Sequence, residues 1–251
     1  MNKIKHKLFD ITIKIINTLY PFPGPYFAFF NPGFLHIKQA ISLIKQLKPD
    51  KNNIIIDVGA SEGSVSLFFA KHFPQTKIYS FEPIQSSYNR LVTATKQFSN
   101  IHPINKAAGS TKYSQEINIA NRISSSSLFE LNPKSDNNFI TKNIGLVNKE
   151  KVEVSTIDDE IPNDVNINLI KFDVQGFEIE AMKGAIDALK RTLIVVVEVS
   201  NHNYYLNGAK YYEIDDFLRS KDFELLSFIP SLRDKNKILE WDAIYSNKKL
   251  V

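Results

Sequence analysis

Residues 54–63 read Ile54-Ile55-Ile56-Asp57-Val58-Gly59-Ala60-Ser61-Glu62-Gly63. An unbroken apolar run that ends in a glycine turn and opens onto a helical pattern is a buried strand feeding a helix, the unit from which parallel α/β sheets are built. Such a turn lets a ligand approach the backbone and a helix N-terminus. The dinucleotide fingerprint needs three glycines spaced GxGxxG, so that the middle one admits the pyrophosphate, whereas here Ala60 and Ser61 follow Gly59 and the next glycine is Gly63. The missing glycine weakens a phosphate-binding reading. Glu82, 23 residues after Gly59, ends the next β-rich run, where an acidic side chain accepts both hydroxyls of a ribose.

Together these features describe a nucleoside site with no demand for phosphates. S-adenosylmethionine fits it, because it presents an adenosine and a cationic amino-acid tail that Asp57 and nearby carboxylates would favour. Outward from this unit, β-rich runs at 54–58, 77–81, 101–105, 167–172 and 193–197 alternate with helical patterns at 62–72, 84–98, 177–190 and 211–220. The alternation predicts an α/β fold with a mostly parallel sheet covered by helices on both faces. Runs at 223–229 and 239–245 have only a polar stretch between them and should form an antiparallel pair. From 107 to 161 the rhythm breaks into strand-like pieces at 113–119 and 151–156 around a Ser/Asn-rich segment, an insertion suited to carry substrate specificity.

The first 50 residues read as an N-terminal helical and aromatic extension to a domain over 51–251. Ile4, Leu8, Ile11, Ile15 and Leu19 form a helical stripe that needs cover, from the domain, a second copy in a homodimer, or a membrane surface favoured by the flanking lysines. Tyr20 to Phe34 interleaves seven aromatics with four prolines and cannot propagate a helix. Ile37, Ala40, Ile41, Ile44 and Leu47 then recur at helical spacing before Pro49.

Composition narrows the function classes. In 251 residues, 43% are hydrophobic and 23% charged, which excludes collagen-like and disordered chains. With no cysteine, disulfides, thiolate metal sites and Cys nucleophiles are excluded. The net charge of +4 is spread along the chain, so nucleic acid is not an expected partner. No stretch approaches the ~20 apolar residues that span a bilayer. Lys3, Lys5 and Lys7 precede an apolar stretch as in a secretory signal, but Asp10 and Lys14 interrupt it and no small-residue cleavage pattern follows. A cytoplasmic protein, at most peripheral at the inner face of the membrane, is the expectation.

Five segments in order, DVGASEG at 57–63, YSFEP at 79–83, VEVSTIDDEI at 152–161, LIKFDVQGFEIEAMKGA at 169–185 and VVVEV at 195–199, resemble the FkbM type of S-adenosylmethionine-dependent methyltransferase. The resemblance covers roughly residues 53–200 and departs from the family at Gln175, where an acidic residue is usual. It implies a Rossmann-like class I methyltransferase fold, with a seven-stranded mostly parallel sheet holding one antiparallel strand, and methylation of a hydroxyl, commonly on a sugar or polyketide-like product. It also implies that Asp57, Gly59, Ala60 and Gly63 form the cofactor loop, that Glu82 holds the ribose, and that the backbone near Lys106 meets the base.

Asp173 ends the fourth strand of the alternation and points to the crevice where ligands bind in such sheets, which makes it the leading catalytic candidate and a cofactor contact. Methyl transfer from a sulfonium is an in-line displacement, so the protein must align the acceptor and remove its proton. Asp173, Glu198 on the next strand, or His202 four residues on can take that proton. The three could also share a divalent cation, but no metal is expected, because such ligand sets at strand ends are common without one. Ser124 to Ser127 resembles a serine-rich segment that contacts acceptor or cofactor, or is plain linker. The acceptor is expected to be a small molecule or glycan hydroxyl. Two other classes compete. An NAD-dependent oxidoreductase or epimerase should show the third glycine and a Tyr/Lys pair at helical spacing, which are missing; a degenerate scaffold domain would have no need to keep Asp57, Gly59, Gly63 and Glu82.

Overall fold

The isoleucine run becomes strand β1 (Ile54–Val58), and in chain order it is preceded by helix α1 (Leu35–Leu47) and followed by α2 (Ser64–His72), β2 (Ile78–Phe81), α3 (Gln85–Thr95) and β3 (Ile101–Ile104). In the computed structural model the described residues are 34–47, 50, 52–133, 135, 144–200, 202, 204–234 and 237–251. The N-terminal stripe at 4–19 and all of the aromatic connector except Phe34 lie outside them. Strands β4 (Ala107–Ala108), β5 (Tyr113–Ala120) and β6 (Leu146–Ser155) and helix α4 (Ile157–Glu160) come next. The chain then runs through β7 (Ile167–Phe172), α5 (Glu178–Lys183), α6 (Ile186–Lys190), β8 (Thr192–Ser200), α7 (Tyr211–Arg219), β9 (Phe223–Asp234) and β10 (Lys237–Asn247).

Seven strands form one sheet in the order β3-β2-β1-β7-β8-β10-β9. The pairs from β3 to β8 are parallel, while β10 runs antiparallel to both β8 and β9. This is the class I methyltransferase arrangement, a mostly parallel sheet with one antiparallel strand. The chain leaves β1 toward β2 and returns on the other side as β7, so the strand order reverses between β1 and β7 and opens a crevice at their carboxyl ends. Burial explains the uninterrupted apolar runs. Ile55, Ile78, Leu169 and Val196 pack under α1 and α2, whereas Ile54, Ile56, Ile170 and Val197 face α5, α6 and α7. Consecutive residues of one strand thus serve opposite cores.

The segment after β3 forms a second sheet in the order β4-β6-β5, with its own apolar cluster of Ile84, Ala107, Ile117, Leu128, Val152, Val154 and Phe177. Phe177 begins the α5 segment, so this sheet is packed beside the crevice rather than apart from it. The helix expected over 177–190 is instead two, broken at Gly184. A Cβ there would lie 1.9 Å from the Gly109 carbonyl oxygen, so close approach of the second sheet sets the break. Strand β8 continues to Ser200, which puts Glu198 within a strand rather than at its end. No described helix is long and apolar enough to cross a membrane.

Candidate active site

A cleft of about 690 Å³, its open mouth included, lies outside the carboxyl ends of β1, β2 and β7. Gly59 turns the chain there at φ +82°, and a Cβ on it would stand 1.9 Å from the Asp173 carbonyl oxygen, so only glycine lets the ends of β1 and β7 come together. Glu82, buried at the end of β2, accepts the Ser61 N–H on Oε2 and the Ile84 N–H on Oε1, each at 2.9 Å. Burial pushes its carboxyl up to about 7 despite these two donors. Asn105 braces the turn after β2 by donating to the Glu82 and Pro83 carbonyls, leaving Lys106 and Ala107 to line the cleft. The Lys106 ammonium is held by Glu160 at 2.7 Å, so the residue faces the cleft with its chain and backbone rather than with a free charge.

Asp57, Ala60 and Gly63, read as part of the cofactor loop, support the Gly59 turn without lining the cleft themselves. Asp57 is fully buried, pairs in register with Ser80 and Lys171 on the neighbouring strands, and accepts the Ser66 hydroxyl at 2.6 Å. Its other oxygen has no hydrogen-bond partner and lies 3.7 Å from the Lys171 ammonium. Strand alternation aims it into the sheet beneath α2, where it organises the β1–α2 unit. Gly63, at φ +90°, is required by packing, since a Cβ would meet Leu91 Cδ1 on α3 at 2.7 Å. Ala60 is buried in the turn and donates its N–H to the Phe81 carbonyl. Ser61 and Ser124, Ser126 and Ser127 of the serine segment line the cleft in their place.

Asp173 follows β7 at the crevice. Lys171, buried two residues earlier, reaches its Oδ2 at 3.0 Å and Asp57 at 3.7 Å. Burial works against the ammonium, but the two carboxylates outweigh it and hold Lys171 above the ordinary lysine range. Burial would likewise raise Asp173, yet Lys171 and the Gln175 amide keep it below the usual carboxylate range. Gln175 donates to Asp173 Oδ1 at 3.0 Å and to Glu198 Oε2 at 2.6 Å. Glu198 is raised well above its ordinary value, by burial first and then by Asp173 and its other acidic neighbours. Lys171 and the Gln175 amide thus favour the ionised form of Asp173, while burial and acidic neighbours favour the protonated form of Glu198.

Asp173, Gln175 and Ser124 also line a second cavity of about 1080 Å³, mouth included, whose walls are Arg122, Ser125, Glu198, Tyr204, Tyr205, Ser231 and Glu240 among others. The cleft and the cavity meet at those three shared residues. His202 lines a smaller hollow behind Glu198, its ring stacked on Tyr204, so the structure brings Asp173 and Glu198 together at the cavity and leaves His202 to one side. No group of three or more His, Asp or Glu side chains among the described residues is arranged to hold a metal. Tyr204, Tyr205, Glu240 and Arg122 carry no local sequence signal. Gln175 and Lys171 lie inside the quoted motif, and Gln175 was marked by its departure from the acidic type.

The motif order, the reversal point and the cleft agree with a family match over the same stretch. The family described as methyltransferase FkbM domain matches residues 57–225. The chain belongs to this family. FkbM-domain proteins are methyltransferases, and the methyl donor is S-adenosylmethionine. A curated relative, Methyltransferase 1 of Beauveria bassiana, is 23% identical over 152 residues, covering 55% of this chain and 60% of the relative. The match thus spans about three-fifths of that relative's length. Among solved structures, magnesium protoporphyrin IX methyltransferase of Synechocystis PCC 6803 with bound SAM is 9% identical with a TM-score of 0.48, covering 85% of this chain and 80% of that one. Aeropyrum pernix fibrillarin with natively bound S-adenosyl-L-methionine is 13% identical with a TM-score of 0.46, covering 83% and 74%.

Proposed function

We propose that this FkbM-family chain transfers the methyl group of S-adenosylmethionine to a hydroxyl of a sugar, a glycan or a glycosylated metabolite. The observation that carries the reading is the junction at Asp173 and Gln175 between a cleft with a nucleoside-type carboxylate and a cavity lined by carboxyls, serines and two tyrosines. Carboxylates accept hydrogen bonds from hydroxyls, and tyrosine rings offer an apolar face for the C–H side of a pyranose.

In this reading Glu82 takes the ribose hydroxyls, the Gly59 turn admits the cofactor to the strand ends, and the Lys106–Ala107 backbone borders the base. The cofactor supplies the electrophilic methyl group. Asp173, kept ionised by Lys171, accepts a hydrogen bond from the acceptor hydroxyl, orients its lone pair and takes its proton. Glu198, whose burial and acidic neighbours favour its protonated form, is placed to donate to a neighbouring oxygen of the acceptor. His202 stands beside Glu198 as an alternative destination for the proton.

Radiolabelled-methyl transfer from S-adenosylmethionine to a panel of monosaccharides and oligosaccharides tests the proposal. Incorporation that resists mild base, as an ether does, and that falls at least ~100-fold in Asp173→Asn is the expected result. Transfer confined to amine acceptors would refute hydroxyl methylation, and label transfer unaffected by Asp173→Asn would remove that residue from the reaction.

A further inference from the structure

Gln175 lines the cofactor cleft, the acceptor cavity and the smaller hollow beside His202. Its hydrogen-bonding groups are engaged on every side. The amide nitrogen donates to Asp173 Oδ1 at 3.0 Å and Glu198 Oε2 at 2.6 Å. The amide oxygen lies 3.0 Å from Tyr205 Oη and shares that hydroxyl's single proton with the Ser125 carbonyl at 2.9 Å. The main-chain carbonyl of Gln175 accepts the Ser127 hydroxyl at 2.7 Å. Only one orientation of the amide satisfies this set, since turning it over would put its oxygen against two carboxyl groups. The residue is held at φ +54°, a left-handed conformation that a side chain other than glycine adopts at a cost. A strained residue with saturated hydrogen bonding, placed where three hollows meet, marks a position fixed by its surroundings.

Asp173 follows the end of β7 and Glu198 lies within the adjacent parallel strand β8, close enough for their carboxyl groups to bond each other directly, so that without a further donor between them they repel or share a proton. We propose that Gln175 is a positioning residue, whose amide holds the Asp173 and Glu198 carboxyl groups as two separately oriented acceptors and ties them, through Tyr205 and Ser127, to the serine wall between cleft and cavity. The inference rests on reading that cavity as the acceptor site. It also gives a physical reason for glutamine here: a carboxylate of the same size has no donor and would face two further carboxyl groups.

Glu198 is the reporter. Facing it are Asp173 from the end of β7, Glu178 from α5, and Glu240 and Asp242 from β10, with Tyr205 on the adjoining loop. Arg122 on the cavity wall acts on Glu240, and Lys171 acts on Asp173. These neighbours are mostly acidic, so the Gln175 donor is what favours an ionised Glu198. Carbon-13 labelling of glutamate carboxyl carbons, with the Glu198 resonance assigned by Glu198→Gln, reads its titration directly. Gln175→Leu is expected to raise the Glu198 midpoint by about one pH unit or more, as loss of a hydrogen bond to a charged group requires. Gln175→Glu should raise it further, and Tyr205→Phe, which releases the amide without removing it, should move it the same way by less.

A midpoint that stays within a few tenths of a unit in Gln175→Leu and Tyr205→Phe overturns the proposal. A fall in melting temperature without a midpoint shift overturns it as well, because it leaves Gln175 with packing alone. Saccharide methylation by the wild-type chain is scored separately. A midpoint shift without any saccharide methylation would uphold the positioning role and refute the acceptor reading, and methylation without a shift would do the reverse.

Discussion

Replacing Lys171 by methionine removes the cation that lies between two buried carboxylates while keeping a side chain of similar length. At 3.0 Å from Asp173 and 3.7 Å from Asp57, the ammonium gains about 5.5 and about 4.5 kcal/mol of Coulomb energy at an effective dielectric of about 20. Much of that offsets the cost of burying the charge, and loss of one partner from a buried pair typically leaves a net destabilisation of about 3–5 kcal/mol. For a chain of this size that lowers the melting temperature by roughly 6–20 °C. The loss should depend on pH. Asp57 is already raised by burial and rises further without Lys171, and Asp173, which Lys171 holds low, rises as burial takes over, so the folded state binds more protons than the unfolded chain. The destabilisation is then smaller near pH 5, where these groups protonate, and larger near pH 8. Thermal melts of Lys171→Met at about pH 5 and about pH 8, with Lys171→Met/Asp57→Asn to remove one orphaned charge, measure it. Equal losses at both pH values, or a total under ~1 kcal/mol, would refute the placement of this lysine as the counter-charge of the site.

Three further outcomes follow from the geometry. Glu82→Ala should weaken S-adenosylhomocysteine binding by roughly 10–1,000-fold in calorimetry, because it deletes hydrogen bonds from a carboxyl acceptor; undiminished affinity would take Glu82 out of the nucleoside site. Gly59→Ala introduces a Cβ 1.9 Å from the Asp173 carbonyl oxygen at a φ of +82°, and should cost roughly 2–4 kcal/mol in urea unfolding; a cost near zero would show that β1 and β7 do not meet as described. Burial raises Glu82, Glu178, Glu240 and Asp242 to about 7, above unfolded values of 4.5 for the glutamates and 3.8 for the aspartate. The stability these four contribute is present below the unfolded values and is lost as pH climbs through about 7. His36, lowered by burial to about 4 from 6.5, acts the opposite way, its contribution being present above 6.5 and lost toward 4. These four carboxyls, with Asp57 and Glu198 also raised by burial, outweigh the one histidine and give a melting temperature that falls between about pH 5.5 and about pH 8 and falls less in Asp242→Asn; a rise over that interval contradicts the burial of these carboxyls.

What could be read in the sequence was what short-range periodicity records. The Ile54–Val58 run, the alternation of strands and helices and the polar gap before Leu239 specify the sheet, because burial on both faces demands apolar runs and crossovers demand helices between parallel strands. That Glu82, Asp173 and Glu198 would line the cleft or the cavity was legible for a related reason, each being an acid at or near the carboxyl end of a recognisable strand. The same rule does not say which face a side chain takes, and strand alternation sets Asp57 against Ser66 and Lys171 rather than on the cleft lining. The break at Gly184 has its cause in Gly109, far upstream in the chain, where no local pattern reports it. Tyr204, Tyr205 and Glu240 reach the cavity from a loop and from the antiparallel strand, with nothing in their neighbourhoods to set them apart from packing residues.

The two carboxyl groups at the junction show how one chain separates the roles of similar side chains. Asp173 has a lysine in direct contact and so stays ionised through neutral pH, whereas Glu198, on the next strand, has acidic neighbours and burial but only an amide as donor. Proton affinity is set by which strand neighbours carry charge, and β7 supplies the cation to the residue nearest the cofactor cleft. Under the proposed reaction, a hydroxyl arriving in the cavity meets Asp173, whose ionised form Lys171 favours, beside the cleft, and Glu198, whose protonated form its surroundings favour, behind it. The spacing between them rests on Gln175. An acceptor that bound through Glu198 alone would have its oxygen displaced from the line of transfer, and the Gln175 variants should therefore affect turnover more than cofactor affinity.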